Sequence, residues 1–348
     1  MKSLQPSINN NHYVLCIRCM TYNQEHYIED ALTGFSIQQT DFPFVAIIID
    51  DASTDNNASV IKNFINTNFD INNNKAYIKH LDYGDEIFAQ HKTNKNCHFL
   101  AIFLKENHYS IKKSKTPYIQ KWLSTSKYHA FCEGDDYWIE RHKLLHQVHY
   151  LEDHPECYLI FHNALLRFQD QNRKDGIMRN YETGNFTTAQ IFEKWQLPLA
   201  SVVCRKEIQF SNEIQQLRKI SSGGFLYFIV ASLIGKVSGI SECWSVYRKN
   251  KGGVSNTFSI SFIQKVELGL AYATNDDDTK VAMEEKAVQR LSKFIGKYYK
   301  KDKEAIELVN VSDSFNKKIF HRALQIYISN IPINLWRKTT KLFRKIHK

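Results

Sequence analysis

Two short acidic segments carry the chemistry this sequence most plainly offers. Asp50, Asp51 and Asp55 follow the β-branched run Phe44–Ile49, and Glu133, Asp135 and Asp136 follow the short apolar run Tyr128–Cys132. Carboxylates held close together repel one another, so such a cluster needs a cation or hydrogen-bond donors to hold it. Oxygen ligands without clustered His or Cys favour a hard ion such as Mg2+ or Mn2+. In open α/β sheets ligands bind outside the carboxyl ends of the strands. Where the two strands are neighbours, the acids would converge on one crevice. The plainer alternative is that Asp51-Ala-Ser-Thr-Asp55 caps a helix, since Ser, Thr and Asp are good N-caps. Spacing alone does not choose between the two. Cys16 and Cys19 form a C-x-x-C, but in a strand positions three apart face opposite sides, which suits two core thiols better than a zinc site.

The elements that would position these acids can be read from periodicity. Val14–Met20 reads as a buried strand. Ile28, Ala31, Leu32 and Phe35 follow as the stripe of an amphipathic helix, and Phe44–Ile49 as a fully buried strand. A helix over Ala58–Asn66 completes a strand–helix–strand–helix series, which argues for an α/β fold with a mostly parallel sheet. Further along, Phe99–Leu104, Tyr128–Cys132 and Cys157–Phe161 read as strands, and Tyr118–Ser126 and Arg141–Leu151 as helices. The stretch from Asn72 to Lys115 is otherwise irregular. Thr274–Asp278 breaks the pattern and reads as a linker before charged helices.

Composition narrows the function classes. With 43% hydrophobic residues, the 348-residue chain has ample material for a core. The net charge of +10 suggests nucleic acid until it is located. Residues 314–348 hold nine Lys and Arg and no acid, leaving 37 basic and 36 acidic side chains in the rest. The body is near neutral, which argues against a nucleic-acid partner. Residues 1–12 lack the apolar core of a secretory signal. The apolar run Phe225–Ile234 is half the ~20 residues a membrane span requires, and seven cysteines at irregular spacing suit a reducing compartment. These features predict a cytoplasmic protein. In the tail, Leu335, Trp336, Thr339, Leu342, Phe343 and Ile346 project to one side of a helix and six basic residues to the other. A helix of that kind over 333–348 would either lie on the inner face of an anionic plasma membrane or dock on its own domain.

The segments Val14-Leu-Cys-Ile-Arg-Cys-Met-Thr-Tyr-Asn23 and Ile47-Ile-Ile-Asp-Asp-Ala-Ser-Thr-Asp55 resemble the opening of family 2 glycosyltransferases with the GT-A fold. Cys132-Glu-Gly-Asp-Asp-Tyr-Trp138 is similar to that family's metal-binding D-x-D segment, in the variant of bacterial capsule and surface-polysaccharide transferases. Phe161-His-Asn163, Trp195–Ser201 and Tyr247–Ser255 add to the likeness. The resemblance implies a Rossmann-like GT-A domain over 12–256, followed by a helical extension over 257–348. It also implies transfer of a sugar, with inversion, from a UDP-linked donor to a glycan or lipid-linked acceptor. By the same likeness Thr21 and Asn23 would border base and ribose, Asp51 would hydrogen-bond the base, and Glu133 would lie near the ribose. Asp135 would bind Mg2+ or Mn2+, with Asp136 as second ligand or outer partner, and Tyr137 and Trp138 would pack on donor or in the core.

The same comparison exposes two departures. Inverting transfer needs a general base for the acceptor hydroxyl. In the family an Asp supplies it from a Gly-Asp-aromatic segment opening a buried helix, ahead of a Gly-Lys pair. Here that stretch is Ser221-Ser-Gly-Gly-Phe-Leu-Tyr227 ahead of Gly235-Lys236, with Gly224 in the acid's place. The Tyr-Arg-x-His-x-Gly-Gly pattern carries Asn250 where the His belongs. Either the base comes from elsewhere, with Asp82, Asp85 and Glu86 as candidates, or the chain binds donor as a non-catalytic subunit of a polysaccharide assembly complex. His162 reads as structural rather than catalytic. Arg205 and Arg248 read equally as phosphate-binding and as ion-paired.

Overall fold

The structure, a computed structural model, describes residues 13–169, 173–193, 197–221, 223–250, 260–298 and 317–329. Trp195 and Gln196 of one motif, 251–255 of another and the basic tail over 333–348 lie outside the described residues.

A single sheet of 13 strands organises the first part of the chain. In chain order these are β1 Leu15–Thr21, β2 Phe44–Asp50, β3 Phe69–Asp70, β4 Tyr77–Leu81, β5 Gly84–His91, β6 Cys97–Leu104 and β7 Tyr128–Phe131. They continue with β8 Tyr137–Trp138, β9 Cys157–Phe168, β10 Gly176–Ile177, β11 Gly184–Phe186, β12 Val203–Arg205 and β13 Lys236–Lys249. The helices are α1 Ile28–Ser36, α2 Asn57–Asn68, α3 Thr116–Thr125, α4 Lys143–Asp153, α5 Thr188–Glu193, α6 Glu207–Phe210, α7 Asn212–Leu217 and α8 Phe225–Ile234. They end with α9 Ile260–Ala273, α10 Asp277–Tyr298 and α11 Lys317–Ser329. Along the sheet the order is β11-β13-β9-β12-β7-β1-β2-β6-β5-β3. The middle four, β7, β1, β2 and β6, run parallel, as the α/β reading predicts.

Period-2 alternation builds a core on each face of these central strands. Leu15, Ile17, Cys19, Phe44, Ala46, Ile48, Phe99 and Ala101 join α1, α2 and α4 through Leu32, Phe35, Ile61, Leu144 and Val148. Cys16, Val45, Ile47, Ile49, Leu100 and Ile102 join α3 through Ile119 and Leu123. Cys16 and Cys19 therefore belong to different layers, as two core thiols should. The apolar run Phe225–Ile234 is a buried helix, in keeping with a sequence apolar all round. No helix among the described residues is long and apolar enough to cross a membrane.

The chain divides into two compact units. The first holds residues up to 187 with 196–216 and 223–253, and the second holds 188–195, 217–222 and 254–348. Within the second, α10 packs on α5, α9 and α11. Lys286 there donates to the Phe192 carbonyl at 2.5 Å and pairs with buried Glu267 at 3.5 Å. The expected linker at Thr274–Asp278 is a tight turn inside this unit. Thr274 Oγ1 donates to the Ala271 carbonyl at 2.7 Å, closing α9, and Thr279 bonds Asp276 at the start of α10.

Candidate active site at the carboxyl edge of the sheet

The winding of the sheet changes direction at β1, with β2 and β6 on one side and β7 on the other. Such a switch point is where parallel sheets open a crevice. Because the four strands are parallel, their carboxyl ends line one edge: Thr21 ends β1, Asp50 ends β2 with Asp51 just beyond, and Cys132–Asp136 follow β7. The two acid segments are thus not on adjacent strands. One strand lies between them, so the strand ends stand roughly 10 Å apart, with Thr21 in the middle.

Three loops at this edge are laced into one block. The Asp51 N–H donates to the Thr21 carbonyl at 3.0 Å. The Asn23 N–H donates to Ser53 Oγ at 2.9 Å, and the Thr54 N–H donates to Asn23 Oδ1 at 2.8 Å. Glu25 N–H to Asp55 (3.0 Å) and Asn56 N–H to Glu25 (2.9 Å) repeat the exchange. Asn23 and Ala52 sit at φ 52° and 58°, a region that non-glycine residues rarely occupy and that clusters at functional sites. On the other side the Gly134 N–H donates to the Met20 carbonyl at 3.0 Å. A Cβ at Gly134 would come within 2.4 Å of Gln24 Oε1 and 2.7 Å of Thr21 Oγ1. The Glu133–Asp135 loop therefore presses directly on the Thr21–Gln24 loop, and glycine is what permits it.

Asp50 and Asp51 have separate duties. Buried Asp50 accepts from Ser53 Oγ and from Asn57 Nδ2 (2.9 Å) and holds its own loop together. Burial raises its pKa, against the pull of those bonds. Asp51 reaches forward. Its Oδ1 accepts from the His108 N–H at 2.9 Å and its Oδ2 from the Tyr109 N–H at 3.0 Å, and Lys115 Nζ lies 2.7 Å from Oδ2. Lys115 also acts on Glu133, working to lower that carboxyl's pKa. One ammonium thus senses both acid segments. Sequence reading missed Lys115 because it lies in an irregular, lysine-rich loop with no motif around it.

Burial, reinforced by Asp135, pushes the Glu133 carboxyl up to about 7, against Arg18 and Lys115. Burial also raises Asp135, offset first by Asn250, whose Nδ2 donates to Asp135 Oδ2 at 3.0 Å. Asp136 is raised well above the ordinary range by burial and then by Asp135. It faces inward, its Oδ1 accepting from the Arg248 N–H at 2.9 Å. Arg248 is itself internal: it donates to the Asp135 carbonyl at 3.0 Å, pairs with Asp30 and stacks 4.4 Å from the Tyr137 ring. Its work is to hold the acid loop.

The donor set around Asp135 fits a hard divalent ion. It is all oxygen, and its carboxyls are held up by burial first, with Asp135 adding to Glu133 and Asp136, a cost that a cation would relieve. Among the described residues no three His, Cys, Asp or Glu side chains converge as a cage.

Other residues singled out by type are engaged within the protein. Trp138 is buried and donates to the Ala200 carbonyl at 2.7 Å. Tyr137 accepts from Arg167 at 2.5 Å. His162 is buried, 2.8 Å from the Asn163 carbonyl. Arg205 donates to the carbonyls of Cys157 (2.8 Å), Leu151 and His154. Asp85 and Glu86 lie on β5, three places from β1 in the sheet, with Asp85 against His80 (2.8 Å) and Glu86 against Tyr83 (2.5 Å). Asp82 lies in the turn before β5. Gly224 caps the N-terminus of α8 at φ −65°, so its backbone does not demand glycine. A Cβ there would meet Leu199 Cδ1 at 2.5 Å and Cδ2 at 2.6 Å, so that side chain would have to swing aside. In the structure an apolar side chain stands where a larger residue at 224 would enter.

This architecture is shared with a solved protein. S. aureus TarS, residues 1–349, superposes with a TM-score of 0.55 at 16% identity, over 95% of this chain and 89% of that one. The same TarS fragment in complex with UDP gives 0.51 at 14% identity, with the same coverage. By sequence the chain is similar to the uncharacterized proteins Rv1520 of Mycobacterium tuberculosis and Mb1547 of Mycobacterium bovis. Each is 25% identical over 240 residues, 69% of this chain. The chain spans 60% of the length of these curated relatives. No family model matches it. At these identities the likeness to TarS establishes the fold: an α/β sheet, parallel at its centre and flanked by helices.

Proposed function

We propose that this chain is a family 2-like, GT-A glycosyltransferase of the bacterial surface-polysaccharide type. It would move a sugar, with inversion, from a UDP-linked donor to a glycan or lipid-linked acceptor. The catalytic part would be residues 12–256 and the extension 257–348, with the tail over 333–348 on an anionic membrane in a cytoplasmic setting. The observation that carries the reading is the grouping of Thr21, Asn23, Asp51, Glu133 and Asp135 on three interlocked loops at the switch point of the sheet. The fold shared with TarS, which has been solved with UDP, agrees with it.

In this reading Asp51 takes the imide N–H of the base. A carboxylate offers about four acceptor positions, and three are engaged, which leaves one for a ligand. Thr21 and Asn23 border the nucleoside from the central loop, and Glu133 faces the ribose. Asp135, oriented by Asn250 and by the Arg248 clamp, would hold Mg2+ or Mn2+, with Asp136 as its outer support. That ion supplies charge neutralisation for the departing diphosphate.

A second reading is favoured by Gly224. With Leu199 in the space of the missing acid, that position offers nothing to take a proton from an acceptor. The chain would then bind donor without transferring it, as a subunit of an assembly complex. Isothermal titration with UDP, alone and with Mn2+ or Mg2+, tests both. We expect metal-dependent binding that Asp135→Asn weakens by at least the roughly 10–100-fold that loss of an outer-shell partner costs. No binding of UDP or of another nucleoside diphosphate would overturn the proposal. Donor hydrolysis and transfer across a broad acceptor panel then separate turnover from binding alone.

A further inference from the structure

The segment between β6 and α3, residues 105–115, is built as a rigid tip rather than a slack connection. Asp51 receives two of its backbone N–H groups, at His108 and Tyr109. The Ser110 N–H donates to Asn107 Oδ1 at 2.7 Å, Ser110 Oγ to the Asn107 carbonyl at 2.8 Å, and the Lys113 N–H to the His108 carbonyl at 2.9 Å. Buried His108 forms its floor. The side chains this tip presents run against solubility. Tyr109 is 69% exposed and Ile111 is 53% exposed, and 109–114 are all exposed. Around them stand Lys105, Lys112, Lys113 and Lys115, with Glu106 the sole acid among 105–115. Lys113 pairs with Glu106 at 2.8 Å and Lys115 with Asp51, while Lys112 has no partner among the described residues.

An ordered loop that spends its hydrogen bonds internally while holding an isoleucine and a tyrosine outward beside lysines has the make-up of an interfacial anchor. Tyrosine suits the headgroup level, with an apolar body and a polar end. Isoleucine favours the acyl boundary, and lysines are drawn to anionic headgroups. We propose that the 105–115 tip docks on an anionic lipid bilayer. It does so independently of the 333–348 tail, and it sets the carboxyl edge of the sheet toward the membrane, because the same Asp51 that belongs to the crevice fixes the loop.

The test uses the full chain with Ser110→Cys carrying an environment-sensitive nitrobenzoxadiazole label, against the unsubstituted chain labelled in parallel. Vesicles of phosphatidylcholine with 30% phosphatidylglycerol, a composition chosen for the assay, should shift the label's emission to the blue, and pure phosphatidylcholine should not. Tyr109→Ser/Ile111→Ser should lower partitioning about tenfold, and Lys112→Glu/Lys113→Glu should remove the preference for anionic vesicles. Both changes fall on exposed side chains and leave the melting temperature in place. A label that stays in water while the chain sediments with vesicles would assign binding elsewhere and overturn the proposal. So would unchanged partitioning of both variants, or a blue shift given by a soluble acidic polysaccharide and not by vesicles. Nucleotide binding enters none of these readouts, so their failure leaves the transferase reading untouched.

Discussion

Lys143 shows how burial alone can tune a side chain. It is 0% exposed, lies 4.1 Å from the Trp138 ring centroid and donates to Gln147 Oε1 at 2.7 Å. Desolvation brings its pKa down to about 7, whereas in the unfolded chain it titrates near ~10.4. Between those values only the unfolded chain holds the proton, so stability should rise with pH by about 1.4 kcal/mol per unit from this group. Lys143→Met should lack that part of the slope in urea midpoints taken at pH 7, 8 and 9; equal slopes in the two proteins would place the proton elsewhere. Gly134→Ala forces a methyl onto Gln24 and Thr21 and should cost about 1–3 kcal/mol, visible in the same denaturation experiment. Single residues were unevenly legible. Asp51, Glu133 and Asp135 declare themselves because each follows an apolar strand. Lys115 does not, and Arg248 is legible only as phosphate-binding or ion-paired, since a lysine in a loop and an arginine in a strand carry no period that says which carboxylate they will meet.

Among the elements, β13 reaches furthest into the site. It runs beside β9 and delivers Arg248 to the loop after β7, where one guanidinium meets the Asp135 carbonyl and Asp30 on α1. Arg248→Met should destabilise the fold by about 2–4 kcal/mol, given two lost charge-assisted bonds, and should weaken metal-dependent nucleotide binding about 10–100-fold. Calorimetry on the folded variant reads the second effect apart from the first. Arg248→Lys should rescue little, because an ammonium lacks the planar fork. The central strands and their helices were readable because two-sided burial makes continuous apolar runs in β2 and β6. The β4–β5 hairpin was not. Its outer strand, Tyr77–Leu81, is an exposed edge and shows little of the hydrophobic pattern that marks a buried strand.

At the scale of the whole chain, the boundary near residue 256 is crossed by packing. Ile191 and Phe192 of α5 are buried and belong with α10 in the second unit. A fragment ending at 256 should therefore expose them, bind the dye ANS and sediment as aggregate, while the full chain does neither. The parallel core followed from sequence because it rests on repeated short-range pattern, whereas the strand order that sets β1 between the two acid segments did not. The meeting of Leu199 with Gly224 did not, since it joins two residues that no periodicity relates. That contact has a practical consequence for anyone seeking to install acceptor chemistry by directed evolution. Any side chain installed at codon 224 must first push Leu199 aside, a shift the end of a half-buried leucine can make, so a one-site library samples variants that each carry that repacking. Shortening codon 199 in the same step removes that repacking, which makes the two positions a natural pair to vary together.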